Sequence, residues 1–313
     1  YAASASEHYG LDPDQRRAFD KIVESVEATL DEETRPDQRY FYITGYAGTG
    51  KSHLLKSIIQ EIGSDPRGPH QVILAWNGMS AKQVGGVTVM SYFSLGFDDT
   101  SVVGDNSYMR STEELTRRMV RGIKGSEEEE QLRKGAVIYV DEVIALHHTI
   151  VDAMSATFKQ IRHGRPSSQL PFGGLAVVFC GDPCQIGRVA LFEGSALYGP
   201  EAYPTFPFWR SSCWAEMGPT VMYLTRFNRG ADSDYLGLLK DIRNVSEEDD
   251  GVPMFTDTSL RVLAKIRDRD GGRMEPRFAH TVICLKNQEA EEHNRKHLDT
   301  LPGTAHVFTG WPK

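Results

Sequence analysis

Tyr40-Phe41-Tyr42-Ile43-Thr44-Gly45-Tyr46-Ala47-Gly48-Thr49-Gly50-Lys51-Ser52 is the stretch on which the fold turns. Its first five residues are aromatic or β-branched, the composition of a strand, and they break into glycines. Gly45 to Ser52 then fill every fixed position of G-x-x-x-x-G-K-[ST], the phosphate-cradling P-loop pattern. Beyond Ser52, Leu54, Leu55, Ile58, Ile59 and Ile62 recur at helical spacing. Strand, glycine-rich loop and amphipathic helix together are the context in which that pattern holds an anion. The glycines let backbone N–H groups close around phosphate oxygens, and the helix offers its positive N-terminus. Gly45, Ala47, Gly48, Thr49, Gly50, Lys51 and Ser52 are therefore candidate nucleotide-binding residues. Lys51 would neutralise the β and γ phosphates and the Ser52 hydroxyl would ligate Mg²⁺, so ATP and Mg²⁺ are the expected ligands.

Working outward, short apolar runs at Val72–Ala75, Ala136–Val140 and Leu175–Phe179 suit strands buried on both faces. Strands alternating with helical stretches, such as the one carrying Phe19, Ile22, Val23 and Val26, predict an α/β fold with a parallel central sheet. The run Ala136 to Val140 ends in Asp141-Glu142, the Walker B arrangement. Asp141 would hold the Mg²⁺ shell and Glu142 would act as base toward the attacking water. The next run ends in Gly181-Asp182-Pro183-Cys184-Gln185, where a polar amide past a central strand can sense the γ-phosphate. Residues 98–134 are polar and glycine-spotted and read as an insertion or surface excursion. The prolines at 200, 204, 207 and 219 suggest an inter-domain connection, giving a first domain over 1–210 and the start of a second over 211–313. Within the second, Tyr235 to Ile242 reads as a helix and Thr281 to Leu285 as a strand.

Composition narrows the partners. With 35 Lys and Arg against 43 Asp and Glu, the net charge of −8 argues against coating nucleic acid by bulk electrostatics. A local basic groove is still open, because phosphate contacts need only a few cations in place. Glu127 to Glu130 form an acidic block, and Arg261, Lys265, Arg267, Arg269, Arg273 and Arg277 a basic stretch; both read as solvated faces. No apolar run approaches the ~18 residues of a membrane span. The opening YAASASEHYG has neither a basic nor an apolar signal region and no starting Met, so a processed or excised piece is the expectation. Four cysteines are too few for a disulfide framework at this length, which points to a reducing compartment. Cys180 and Cys184 lack a second Cys/His pair of zinc spacing and read as small core residues. His293-x-x-x-His297 has Asn at 294 where a zinc hydrolase carries its glutamate, so it is set aside.

The P-loop, the Asp141-Glu142 strand, and Pro171-Phe172-Gly173-Gly174 followed by Gly181-Asp182-x-x-Gln185 resemble superfamily 1B DNA helicases of the PIF/RecD type. The motifs agree in order from residue 11 to about 300. Leu11-Asp12-Pro13-Asp14-Gln15 resembles that family's Q motif, which implies that Gln15 reads the adenine. Ala75-x-x-Gly78-x-x-Ala81 with Gly85-Gly86-x-Thr88 is similar to motif Ia, which implies single-stranded DNA contacts at Asn77, Gly78, Thr88 and Ser91. Leu224-Thr225-Arg226-Phe227-Asn228-Arg229 resembles motif IV, which implies that Arg229 reaches the γ-phosphate, with Arg226 its neighbour and competitor. Trp76, Tyr92 and Phe93 are candidates for stacking on a base. The resemblance further implies a RecA-like P-loop NTPase core followed by part of a second RecA-like domain. It implies ATP hydrolysis coupled to 5′→3′ translocation on single-stranded DNA and to duplex unwinding. It also implies a monomer that meets replication, repair or recombination proteins at an intracellular site of DNA metabolism.

The sequence departs from the family pattern at Met90-Ser91, Val143-Ile144-Ala145, Ile186-Gly187-Arg188 and Gly230, so the DNA-facing and coupling details have drifted further than the nucleotide machinery. The family's late motifs would be expected after residue 313. Two other readings stand beside this one: a P-loop ATPase that drives a remodelling or packaging process, and a nucleotide-binding fragment without turnover.

Overall fold

Strand β1 (Tyr40–Gly45) is hydrogen-bonded on both sides, and the four apolar and aromatic residues Tyr40 to Ile43 and Thr44 are all buried. The computed structural model describes residues 9–30, 39–96, 111–185, 207–228, 232–243, 254–269, 287–300 and 302. The other strands are β2 (His70–Ala75), β3 (Val87–Thr88), β4 (Ala136–Asp141), β5 (Ala176–Cys180) and β6 (Thr220–Leu224). They form one six-stranded sheet in the order β3-β2-β4-β5-β1-β6, and every pairing is parallel. This is the α/β class that the alternating runs predict.

Side chains along β1, β4 and β5 alternate between two apolar layers, as the two-residue strand period requires. Phe41, Ile43, Val137, Tyr139, Val178 and Cys180 face helices α1 (Pro13–Leu30) and α2 (Lys51–Gly63). Those helices contribute Phe19, Ile22, Val26, Leu54, Leu55 and Ile58. Tyr42, Ile138, Val140, Val177 and Phe179 face the opposite layer. After α3 (Gly78–Val84) and α4 (Val89–Tyr92), that layer is built by α5 (Thr112–Ile123), α6 (Glu127–Lys134), α7 (His148–Ile161) and α8 (Ser212–Met217).

Two expectations change here. Residues 111–134 are helical and partly core, not a surface excursion: Leu115, Met119, Ile123 and Leu132 are all buried. Polar outer faces hide this amphipathic pattern, yet each helix carries a capping signal. Ser111 accepts the Glu114 N–H and Ser126 accepts the Glu129 N–H, with Glu129 returning a bond from the Gly125 N–H. Residues 97–110 lie outside the described ones.

The second change concerns the boundary at 210. The chain divides into Tyr1–Ala231 and Asp232–Lys313, so residues 211–231 belong with the first unit. The reason is β6, which pairs with β1 from Phe41↔Thr220 to Gly45↔Leu224 and adds the last strand of the sheet. The proline-rich stretch leads back to this sheet before the chain leaves it. In the second unit, α9 (Ser233–Asp241), α10 (Asp257–Arg269) and α11 (Asn287–Leu298) are described. Asp241 ties the end of α9 to the start of α10 by accepting the Thr256 N–H and hydroxyl, each at 2.7 Å. The strand expected over Thr281 to Leu285 lies outside the described residues.

Candidate active site

Because the sheet is parallel, the loops after β1, β2, β4 and β5 all leave from its carboxyl edge, where α/β proteins bind ligands. The P-loop leaves β1 through Gly45 at φ 150°, where a Cβ would meet the Leu224 carbonyl oxygen at 2.4 Å. Gly50, at φ 81°, precedes α2 in the left-handed region, and a Cβ there would lie 2.3 Å from Gln15 Nε2. Any side chain at either position would push the loop open. Lys51 is buried, and its Nζ donates to the Gly45 and Tyr46 carbonyls at 3.1 Å each, so its charge lies across the loop. Ser52 is the second residue of α2, and Ala47 stands exposed on the turn.

Asp141 ends β4 at 2% exposure. Burial pushes its carboxyl pKa up, partly offset by the Cys180 thiol and Glu142 N–H that it accepts and by the Lys51 charge. Glu142 follows at φ 53°, a left-handed conformation that non-glycine residues rarely hold. Its carboxyl is also pushed up, by burial first and then by the Asp141 charge. The left-handed backbone at Glu142 thus coincides with two neighbouring carboxyls whose pKa values burial raises.

β5 lies between β1 and β4, so the segment after it emerges between the P-loop and Asp141. Gly181 donates to the Ile43 carbonyl at 3.1 Å, and the fully buried Asp182 accepts the Cys184 N–H at 3.1 Å. This turn sets Gln185, half-buried, with its N–H on the Asp182 carbonyl at 3.0 Å. Cys180 is core and Cys184 exposed.

Gln15 is buried and faces the loop backbone. Its Oε1 accepts the Asp12 N–H at 3.0 Å while Asp12 Oδ1 accepts the Gln15 N–H at 3.0 Å, a reciprocal cap on α1 with Pro13 at its first position. Its Nε2 donates to the Thr49 carbonyl at 3.0 Å. The amide expected to read adenine thus already has partners on both ends.

Motif Ia lies after β2. Asn77 is exposed and its Oδ1 caps α3 by accepting the Ser80 N–H at 2.8 Å; Gly78 is exposed beside it. Thr88 Oγ1 accepts the Ser91 N–H at 3.1 Å and donates to Ser91 Oγ at 2.9 Å. Of the stacking candidates, Phe93 is fully buried, and Tyr92 is half-buried with its hydroxyl on Glu128. Both are packing residues, and Trp76 is half-buried against the same core. Met79, which the sequence reading passed over, is 80% exposed on this edge. Its position inside an Ala/Gly-rich motif was the available signal.

Arg229 lies outside the described residues, and Arg226 is exposed. The residues before Arg229 hold a second surprise. Thr225 donates its N–H to Asp14 at 3.1 Å and also bonds it through its hydroxyl. Asn228 donates its N–H to the Gly48 carbonyl at 2.8 Å and its Nδ2 to Asp12 at 2.9 Å and to the Thr49 carbonyl at 3.3 Å. Asp12 and Asp14 flank Pro13 just before Gln15 in the sequence, but only the fold shows what their second oxygens hold.

A parallel sheet with a P-loop after one strand and a buried Asp followed by a half-buried Glu after another, with a third strand between them, defines a P-loop NTPase of the RecA-like class. The chain belongs to the PIF1-like helicase family, whose sequence pattern matches residues 10–234. It is 29% identical over 233 residues to the ATP-dependent DNA helicase PIF7 of Trypanosoma brucei brucei, covering 74% of this chain and 20% of that protein. It is 28% identical over 271 residues to the ATP-dependent DNA helicase PIF1 of Rattus norvegicus, covering 85% of this chain and 36% of the rat protein. The chain therefore spans between a fifth and two fifths of the length of these relatives. In fold it is similar to the Pif1 helicase from Candida albicans, with a TM-score of 0.65 at 21% identity, covering 94% of this chain and 55% of that one. A Bacteroides Pif1 helicase in complex with ADP-AlF3 and ssDNA gives 0.60 at 22% identity, covering 90% and 57%.

Proposed function

We propose that this chain is the ATP-hydrolysing motor portion of a DNA helicase, acting on single-stranded DNA in the 5′→3′ direction. The observation that carries the reading is the convergence of Lys51, Asp141 and Glu142 on one sheet edge, with both carboxyls pushed up by burial and opposed by the Lys51 charge. The Gly45 and Gly50 backbone forms the phosphate cradle that a Cβ at either position would fill. One buried carboxylate and one hydroxyl, Asp141 and Ser52, are hard oxygen donors that suit Mg²⁺ and would hold it there. Mg²⁺ held by these two residues would supply charge neutralisation to the phosphate oxygens.

Lys51 would leave the Gly45 and Tyr46 carbonyls to meet phosphate oxygens. Glu142, raised above an ordinary carboxylate, would orient the attacking water and take its proton. The Gln185 amide would bond the γ-phosphate from the strand between the two, and Arg229 would supply the arginine that stabilises transition-state charge. DNA would run over the edge after β2, with Asn77, Gly78, Thr88 and Ser91 at the backbone and Met79 against a base. Residues 232–313 would begin a second RecA-like domain. Partner proteins of replication or repair, a monomeric state and an intracellular site of DNA metabolism belong to the same proposal. No helix among the described residues is long and apolar enough to cross a membrane.

The test is ATP turnover by the protein and by Lys51→Ala and Arg229→Ala variants, with and without oligonucleotide. Lys51→Ala should abolish hydrolysis, and Arg229→Ala should keep nucleotide affinity within a few-fold while DNA-stimulated turnover collapses. Full activity in both variants would remove the reading.

A further inference from the structure

The P-loop carbonyls of Gly48 and Thr49 are held from outside by three donors. The Asn228 N–H takes Gly48, and Gln15 Nε2 and Asn228 Nδ2 both take Thr49. The donors are themselves fixed. Gln15 is locked to Asp12 through the reciprocal cap, and Asn228 Nδ2 reaches the other oxygen of the same Asp12 carboxylate. One aspartate therefore sets both side-chain amides against one peptide unit. Thr225, three residues earlier, is pinned to Asp14 on the same turn.

A trans peptide unit is planar, with its N–H pointing opposite to its C=O. Holding the Thr49 carbonyl on the outside therefore aims the Gly50 N–H to the inside of the loop, where a phosphate oxygen would lie. The approach of Gln15 requires glycine at 50, because a Cβ there would lie 2.3 Å from Gln15 Nε2. With left-handed φ at Gly48 and Gly50, the flanking backbone has no side chain to restrain it, so the restraint has to come from elsewhere.

We infer that Gln15 and Asn228 are positioning residues for the phosphate cradle, acting through the Thr49–Gly50 peptide. This rests on the P-loop reading and deepens it. It also gives the chain just before Arg229 a task of its own: Asn228 ties the exit of the first unit to the loop that would hold the phosphates, so binding at the loop and the position of that exit become one equilibrium.

The test uses inorganic tripolyphosphate beside ATP and GTP, each with Mg²⁺, titrated against the whole chain and its Gln15→Met, Asn228→Ala and Lys51→Ala variants. Thermal melting confirms that each variant folds, and Asn228→Ala keeps the backbone N–H while losing the Nδ2 donor without adding charge. The expected result is a loss of about tenfold in affinity in the Gln15 and Asn228 variants, seen for tripolyphosphate as well as for both nucleotides, as for a removed hydrogen bond to a buried acceptor. A loss confined to ATP, with tripolyphosphate unchanged, would overturn the inference and return Gln15 to the base. Parent-like affinity in every Gln15 and Asn228 variant would overturn it too. Failure of the underlying P-loop reading looks different: Lys51→Ala would then bind all three ligands as the parent does.

Discussion

The carboxylate of Asp141 accepts the backbone N–H of Glu142 at 3.0 Å, and the residue so held adopts φ 53°. The bond turns the chain sharply at the end of β4. It leaves two carboxyls adjacent, each pushed up by burial. On the proposed function the arrangement would separate their tasks: Asp141, at 2% exposure, would hold the cation, and Glu142, only partly buried, would reach water.

Backbone strain at Glu142 can be isolated by two truncations that both lose the carboxylate. Glycine tolerates the left-handed region and alanine does not, so Glu142→Gly should be more stable than Glu142→Ala by roughly 0.5–1 kcal/mol. Paired denaturant titrations measure this. Equal stability, or a more stable alanine variant, would mean that no strain is stored there.

Glu128 offers a pH test away from the site. Burial pushes its carboxyl up, but hydrogen bonds from His70 and Tyr92 outweigh that and hold it below the usual carboxylate range. A depressed carboxyl contributes stability that is present above its unfolded pKa and lost as pH falls through the lowered folded one. The melting-temperature gap between the parent and Glu128→Gln should therefore be widest near neutrality and shrink below about pH 4. A gap that widens in acid would reverse the assignment.

Tyr139 is fully buried in β4, and its hydroxyl has no hydrogen-bond partner among the described residues. Burying an unpaired hydroxyl is costly, so Tyr139→Phe should leave the fold intact and raise stability by up to about 1 kcal/mol. Chemical denaturation decides it, and a destabilised variant would reveal a partner for that oxygen.

The DNA edge is tested by exchanging two side chains. Met79→Ser should weaken binding of a fluorescent single-stranded oligonucleotide several-fold, whereas Tyr92→Leu, which removes the ring, should not, because Tyr92 packs inward. Binding should also fall as salt rises. The opposite ranking of the two variants would restore Tyr92 as the stacking residue.

The placement of the candidate site was legible in the sequence because it is local: Gly45 to Ser52 and Asp141-Glu142 are contiguous residues at strand ends, and the strand period names the core. What was hidden is non-local or masked by polarity. Helices α5 and α6 bury Leu115, Met119 and Leu132 beneath outer faces dominated by Glu and Arg, so composition alone looked like surface. The pairing of β6 with β1 joins residues far apart in the chain, and no pattern within either strand announces it. Gln15 shows the same limit at the scale of one residue. Its motif suggested a partner, and its two amide ends turned out to be engaged by Asp12 and Thr49.

The central claim, that Lys51, Asp141 and Glu142 form an ATP-hydrolysing site coupled to single-stranded DNA, meets its most direct test in one steady-state experiment. ATP turnover is measured with Mg²⁺, with and without a single-stranded oligonucleotide, for the parent protein and for Glu142→Gln. The account predicts parent turnover that rises with oligonucleotide, and a variant that still binds ATP but turns over roughly 10²-fold more slowly in both conditions. Turnover in Glu142→Gln equal to that of the parent, or parent turnover indifferent to the oligonucleotide, would contradict it.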